Sequence, residues 1–308
     1  MRTSLALSPQ FLVERAEANT RPVCLILASL WAILTVGLYQ AADWATWIWP
    51  WDDARMTYVF LSSITVAVAA PLLWVAIIDE PAAAAGLALD AVVITGAMAV
   101  TYLVLGISRS EGRLFAFAAA SAVSGVIAWS IFHASRHLPS RDQTPLPRFI
   151  RFAYVGFIMV LLIFGTALVF GADNTFPWDL PNRTSTIYGG IFIGAGAYFA
   201  FGIARNYWVH GGGQLAGFLA YDLVLLSPFV RTLLDENGMS GSGGYQNFPS
   251  AGSTAGDDVN RTSLWVYTAF LVVTSLIAIF FLFIYPPTRI WRRPGIEQDR
   301  RPTSGSGS

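Results

Sequence analysis

Apolar positions along the chain gather into eight long runs, approximately 22–41, 56–78, 82–106, 114–133, 152–172, 186–204, 213–233 and 264–285. Each is close to the ~20 residues a helix needs to cross the hydrocarbon of a bilayer. The pattern predicts an all-α polytopic transmembrane helix bundle. The third run is mostly alanine with Asp90 inside it, which makes it the least hydrophobic on inspection and places it in the bundle interior, away from lipid. The seventh carries Asp222 and ends at Arg231. Between the last two runs, residues 237–257 are rich in Gly, Ser and Asn, a composition that buries no core and reads as a mobile loop. Residues 286–308 open with two prolines, turn basic and end in Ser and Gly, the pattern of a disordered tail. At the other end, Ser8-Pro9 has the form of a helix start, and Phe11, Leu12 and Ala16 share a face against Glu14 and Glu17. Residues 1–21 thus read as a short helix on the inner membrane surface, with a frayed terminus as the alternative.

An ordered series of matches relates the two halves. Asp43, Pro50, Trp51, Asp52 and Arg55 recur as Asp173, Pro177, Trp178, Asp179 and Arg183, and Ala85-Gly86 with Asp90 recurs as Ala216-Gly217 with Asp222. The offset drifts slowly from 127 at the proline to 132 at the second aspartate, as expected of a tandem duplication with small insertions. Residues 22–133 and 152–285 then form two four-helix repeats joined by a basic cytoplasmic linker, 134–151. Each repeat has an even number of spans, so both have the same orientation, the parallel arrangement some transporters use.

The second repeat carries Phe176-Pro-Trp-Asp-Leu-Pro-Asn-Arg-Thr184, followed by Gly189, Gly190, Gly194 and Gly196. This stretch of some twenty residues resembles a motif of uncharacterised bacterial multi-helix membrane proteins, a Phe-Pro-Trp loop followed by a glycine-studded helix. Those proteins have proline after the tryptophan and an arginine nearer the glycines. Asp179 and Thr186 stand there instead, so no role of that arginine transfers. The resemblance implies a membrane bundle and no particular activity.

Composition changes the picture in two ways. A chain of 308 residues would ordinarily suggest two soluble domains, but 55% hydrophobic and 12% charged residues, against about 25% charged in soluble domains, remove that reading. All nineteen basic residues are arginine. A retinal Schiff base, a pyridoxal-phosphate site and a P-loop each require lysine and are excluded. The single cysteine, Cys24, offers neither an internal disulfide nor a pair of metal ligands. With the N-terminus inside, thirteen arginines fall on the cytoplasmic side and six on the other, which predicts both termini in the cytoplasm.

Candidate chemistry is sparse. Asp90 and Asp222 lie eight or nine residues into their runs, ~12–13 Å deep, where a carboxylate needs an interior position and a partner. They either form a transport path or polar core, or tie one helix to another. The loop residues Asp43, Trp51, Asp52, Arg55, Asp173, Trp178, Asp179 and Arg183 suit an aromatic interface anchor or a paired outer mouth, with Asp52 or Asp53 as a helix cap and the arginines pairing the loop acids. Trp44, Trp47, Trp49 and Phe176 belong to the same belt. His133 and His137 share a helix face beside Arg136 and Arg141, which disfavours a bound cation. Gly211–Gly213 after His210 reads as a turn, with no lysine to make a phosphate cradle. The Gly190/Gly194 and Ala118/Ala122 pairs suit helix packing, within the chain or in a homo-oligomer. No catalytic constellation, metal site, cofactor motif or nucleic-acid signature is visible. The leading expectation is a non-enzymatic protein of the bacterial plasma membrane that packs with or organises other membrane components. The alternative is a small-molecule or proton-linked transporter using the paired aspartates.

Overall fold

In the computed structural model the structure describes residues 9–53, 55–172, 175–176, 178, 180–234 and 261–290. Helices α1 (Pro9–Tyr39), α2 (Asp43–Thr46), α3 (Arg55–Ile78), α4 (Ala84–Arg109), α5 (Gly112–Ser135), α6 (Arg148–Val169), α7 (Asn182–Arg205), α8 (Trp208–Leu234) and α9 (Arg261–Ile279) follow in order. Eight helical stretches are long and apolar enough to span a bilayer, and each coincides with one of the eight runs in the sequence. The described residues contain no strand, so the chain is an all-helical polytopic bundle.

The helices pack in two tiers. Helices α3, α4, α7 and α8 form the inner group, in which α3 lies chiefly on α8 and α4 on α7. Each inner helix carries one outer helix: α1 on α3, α5 on α4, α6 on α7 and α9 on α8. Exchanging the first four spans for the last four maps this set of pairings onto itself. The connections fall into two opposite layers. One holds Tyr39–Arg55, the α4–α5 turn and the segment before α7, and the other holds Asp79–Ala83, Arg136–Pro147 and the α7–α8 turn.

Four sequence expectations need correction. The least hydrophobic span is α8, not α4, and α4, although it joins α7 in the inner group, is mostly half-buried, with Val100, Leu103 and Val104 exposed on its outer surface. The segment before the first span is part of one helix with it, and Pro22 lies inside that helix. Gly211–Gly213 are in the first turns of α8 and make no loop. A Cβ on Gly212 would run into the Trp74 ring, and one on Gly213 would stand 2.6 Å from the Tyr198 hydroxyl, so the bare backbone is what lets two bulky inner rings seat there. Finally, Thr288 donates to the Phe281 carbonyl (2.6 Å) and Ile290 N–H to that of Leu282 (2.9 Å), which folds the start of the tail back onto the end of α9. The 237–257 loop, residues 1–8 and residues 291–308 lie outside the described residues.

The linker between the halves straps one layer together. Its Arg141 N–H donates to Glu80 Oε2 (3.0 Å), Leu146 N–H to the Asn206 carbonyl (3.0 Å), and Trp208 N–H to the Thr144 carbonyl (2.8 Å). Glu80 is almost fully enclosed, and burial pushes its carboxyl above the ordinary range against the opposing pull of the Arg141 N–H and charge.

Candidate functional site

The loop between α1 and α3 places its tryptophans in two environments. Trp44 and Trp47 are exposed at the rim, as an interface belt requires. Trp49 and Trp51 instead turn into the bundle, where their rings meet edge-on at 5.2 Å and Trp51 contacts Tyr102. The Asp53 side chain is 1% exposed and collects donors from both halves: Trp49 Nε1 at 2.9 Å, Thr184 Oγ1 at 2.9 Å and the Arg183 guanidinium at 3.3 Å. Arg183 also lies over the Trp51 ring, 5.2 Å from its centre. Arg55 donates to the carbonyls of Tyr39 (3.3 Å) and Gln40 (3.5 Å) at the end of α1.

Repeat alignment directs attention to Asp52, but that residue is exposed, as is Asp43, and the acid that joins the halves is its neighbour Asp53. The adjacent Arg183-Thr184 pair, two donors at one helix start, was the available signal for such an acid. Trp178 packs among the rings of Phe60, Phe176 and Phe229. Asp173, Pro177 and Asp179 lie outside the described residues. In the opposite layer, Arg136 Nε donates to His137 Nε2 at 2.9 Å, which occupies the lone pair a metal would need, and His210 Nε2 pairs with Ser140 Oγ at 2.9 Å.

The two intramembrane aspartates separate. Asp222 is fully buried in α8, where Oδ2 accepts from Thr274 Oγ1 (2.6 Å) and Ser275 Oγ (3.2 Å) of α9. Its Oδ1 is enclosed without a partner. Asp90 is 8% exposed, and its Oδ1 also has no hydrogen-bond partner. Gly194 makes room for it on α7, since a Cβ there would stand 2.6 Å from that oxygen. Gly190 faces Ala97 of α4 in the same way, so the Gly190/Gly194 pair serves packing inside the chain.

Asp90, unlike Asp222, lines a cavity of about 270 Å³. Its walls come from α3, α4, α6, α7, α8 and α9 and lie near mid-height in the bundle. They are almost wholly apolar, with Gln214 the other polar group beside Asp90 and with Tyr221 and Tyr267, whose hydroxyls pair at 2.5 Å. Tyr221 does point away from Asp222, as helical spacing requires, yet it faces this chamber. No protein-family profile, curated protein or solved structure matches the chain.

Proposed function

We propose that this is a bacterial plasma-membrane protein with cytoplasmic termini, built from two tandem four-helix units, that works by non-covalent binding of a small molecule in its midplane chamber, as a carrier does. One observation carries the reading: Asp90 lines a cavity near mid-height in the bundle and its enclosed Oδ1 has no hydrogen-bond partner, at a depth where an unpaired acid is costly. The duplication is supported by the ordered residue matches and by the exchange symmetry of the helix pairings. Orientation is supported by the arginine distribution.

A second reading, a packing or organising component, has its own support. Asp222, Asp53 and Arg183 act as ties between helices and halves, which is what a structural part needs. Asp90→Asn and Asp222→Asn, each purified in mild detergent, separate the two readings. In the carrier reading Asp90→Asn keeps wild-type thermal stability and loses small molecules that co-purify and are identified by mass spectrometry. Asp222→Asn keeps those molecules and loses stability. If Asp90→Asn retains the wild-type small-molecule content and instead loses its association with other membrane proteins, the organising reading stands and the carrier reading falls.

A further inference from the structure

The chamber's lining specifies more than a hole in the bundle. Six aromatic rings face it, from Phe164, Phe192, Phe218, Tyr221, Tyr267 and Phe270. Among the described residues its lining contains no arginine, and the chain contains no lysine, so no described wall residue balances the charge of Asp90. Aromatic faces attract cations, and a carboxylate in hydrocarbon is stabilised by an opposite charge brought to it. Gly194 keeps the floor beneath the carboxyl free of a side chain, which holds Asp90 where it lines the cavity.

Access follows from the two outer helices on that side. Near one layer, α6 is bridged by ring pairs to α9 and the turn that continues it, Phe157 with Phe270 (6.1 Å) and Phe149 with Phe281 (stacked, 5.9 Å). Further along, Val160 and Phe164 of α6 and Val266 of α9 line the cavity and are also exposed on the apolar outer surface of the spans. The mouth therefore opens sideways, toward the acyl chains.

Resting on the binding role proposed above, we infer that the chamber takes a hydrophobic monocation, an amphiphilic amine, admitted laterally from the bilayer between α6 and α9 with its ammonium on Asp90 and its apolar part among the rings. Protonated tertiary alkylamines satisfy both halves of that description, whereas the alcohol or fatty acid of the same chain lacks the charge or carries the wrong one.

The test uses the full chain in lipid nanodiscs and three radiolabelled probes: a medium-chain tertiary alkylamine, the alcohol and the carboxylate of the same chain. Saturable amine binding is expected, weakened by about tenfold or more in Asp90→Asn and by a smaller factor in Phe164→Leu, with the weak alcohol signal unchanged in both. Val266→Trp, at an exposed position on the mouth, should slow association of the amine with little change in affinity. Phe164→Leu keeps the test decisive should Asp90→Asn fold poorly. Equal binding of amine and alcohol, insensitive to both substitutions, overturns the cationic assignment but leaves a binding chamber. An unchanged association rate in Val266→Trp overturns the lateral route. Absence of saturable binding by all three probes overturns the assignment and the carrier reading together.

Discussion

Replacing Asp53 by alanine should be among the most damaging single changes in the molecule. Its carboxylate is enclosed and accepts from Trp49, Thr184 and Arg183, so the substitution strands three donors at once. A buried donor left without an acceptor costs ~1–3 kcal/mol, and the Trp49 indole has no room to turn toward water. Breaking a buried ion pair costs ~3–5 kcal/mol, but the Arg183 side chain is 26% exposed and keeps its stack on Trp51, so water recovers part of that. Taken together, these give a loss of about 3–4 kcal/mol. Asp53→Asn retains an acceptor oxygen and the shape, and should cost ~1–2 kcal/mol. Equilibrium unfolding by added denaturing detergent, followed by tryptophan fluorescence, reads both values. A double-mutant cycle with Arg183→Ala should return a coupling of ~1 kcal/mol or more. If Asp53→Ala unfolds within ~1 kcal/mol of the wild type and the coupling is near zero, the two halves are not held through this node.

Gly212→Ala should destabilise by ~1–3 kcal/mol in the same unfolding assay, although alanine is the better helix former by ~1 kcal/mol, because the added methyl collides with a Trp74 ring fixed by its bond to the Val209 carbonyl (3.1 Å). Glu80 makes stability depend on pH: its folded pKa lies above the ordinary 4.5, so the folded state holds the proton more tightly and stability falls as pH rises from about that value through the folded one. Glu80→Gln should flatten that slope in a pH series of melting curves, and an unchanged slope would assign it to other groups. In a Cys24→Ala background, cysteine at Glu111 should react with an impermeant thiol reagent on intact cells and cysteine at Gln143 only after lysis, since these exposed residues lie in opposite layers. Labelling of both from one side contradicts the arrangement of spans.

The spans were legible because membrane insertion imposes a length and a polarity on contiguous sequence, and all eight runs became helices. Other features depended on contacts between distant residues, which no window reports. Gly211–Gly213 has the local signature of a turn, and the side chains that need its bare backbone, Leu146 at Gly211 and Trp74 and Tyr198 at Gly212 and Gly213, come from other elements. Asp53 was masked by Asp52, which the residue matches between the halves single out but which faces outward. Matched depth in the apolar runs made Asp90 and Asp222 look alike, but α8 begins at Trp208, ahead of the run read from the sequence, so Asp222 lies farther into its helix than Asp90 does. What distinguishes them is the side chain opposite, and that belongs to another helix.

The divergence of the two acids has a physical origin in the pairing of inner and outer helices. The two carboxyls lie on inner helices of different halves, and each must find a partner or a space. On α8 the partner is at hand, because α9 packs on it and brings Thr274 and Ser275 to Oδ2. On α4 the carboxyl is carried away from its own outer helix, α5, and toward α7, where Gly194 leaves a gap for Oδ1 in place of a hydroxyl. The chamber it reaches is walled chiefly by the second half, with α3 and α4 contributing from the first. The acid of one half therefore works in a space made by the other. Neither half alone brings together both the carboxyl and the aromatic wall, so the site arises only where the four-helix units pack across α3–α8 and α4–α7. The same packing leaves Asp222 out of the lining, and the two acids are thereby divided into one structural tie and one group facing the chamber.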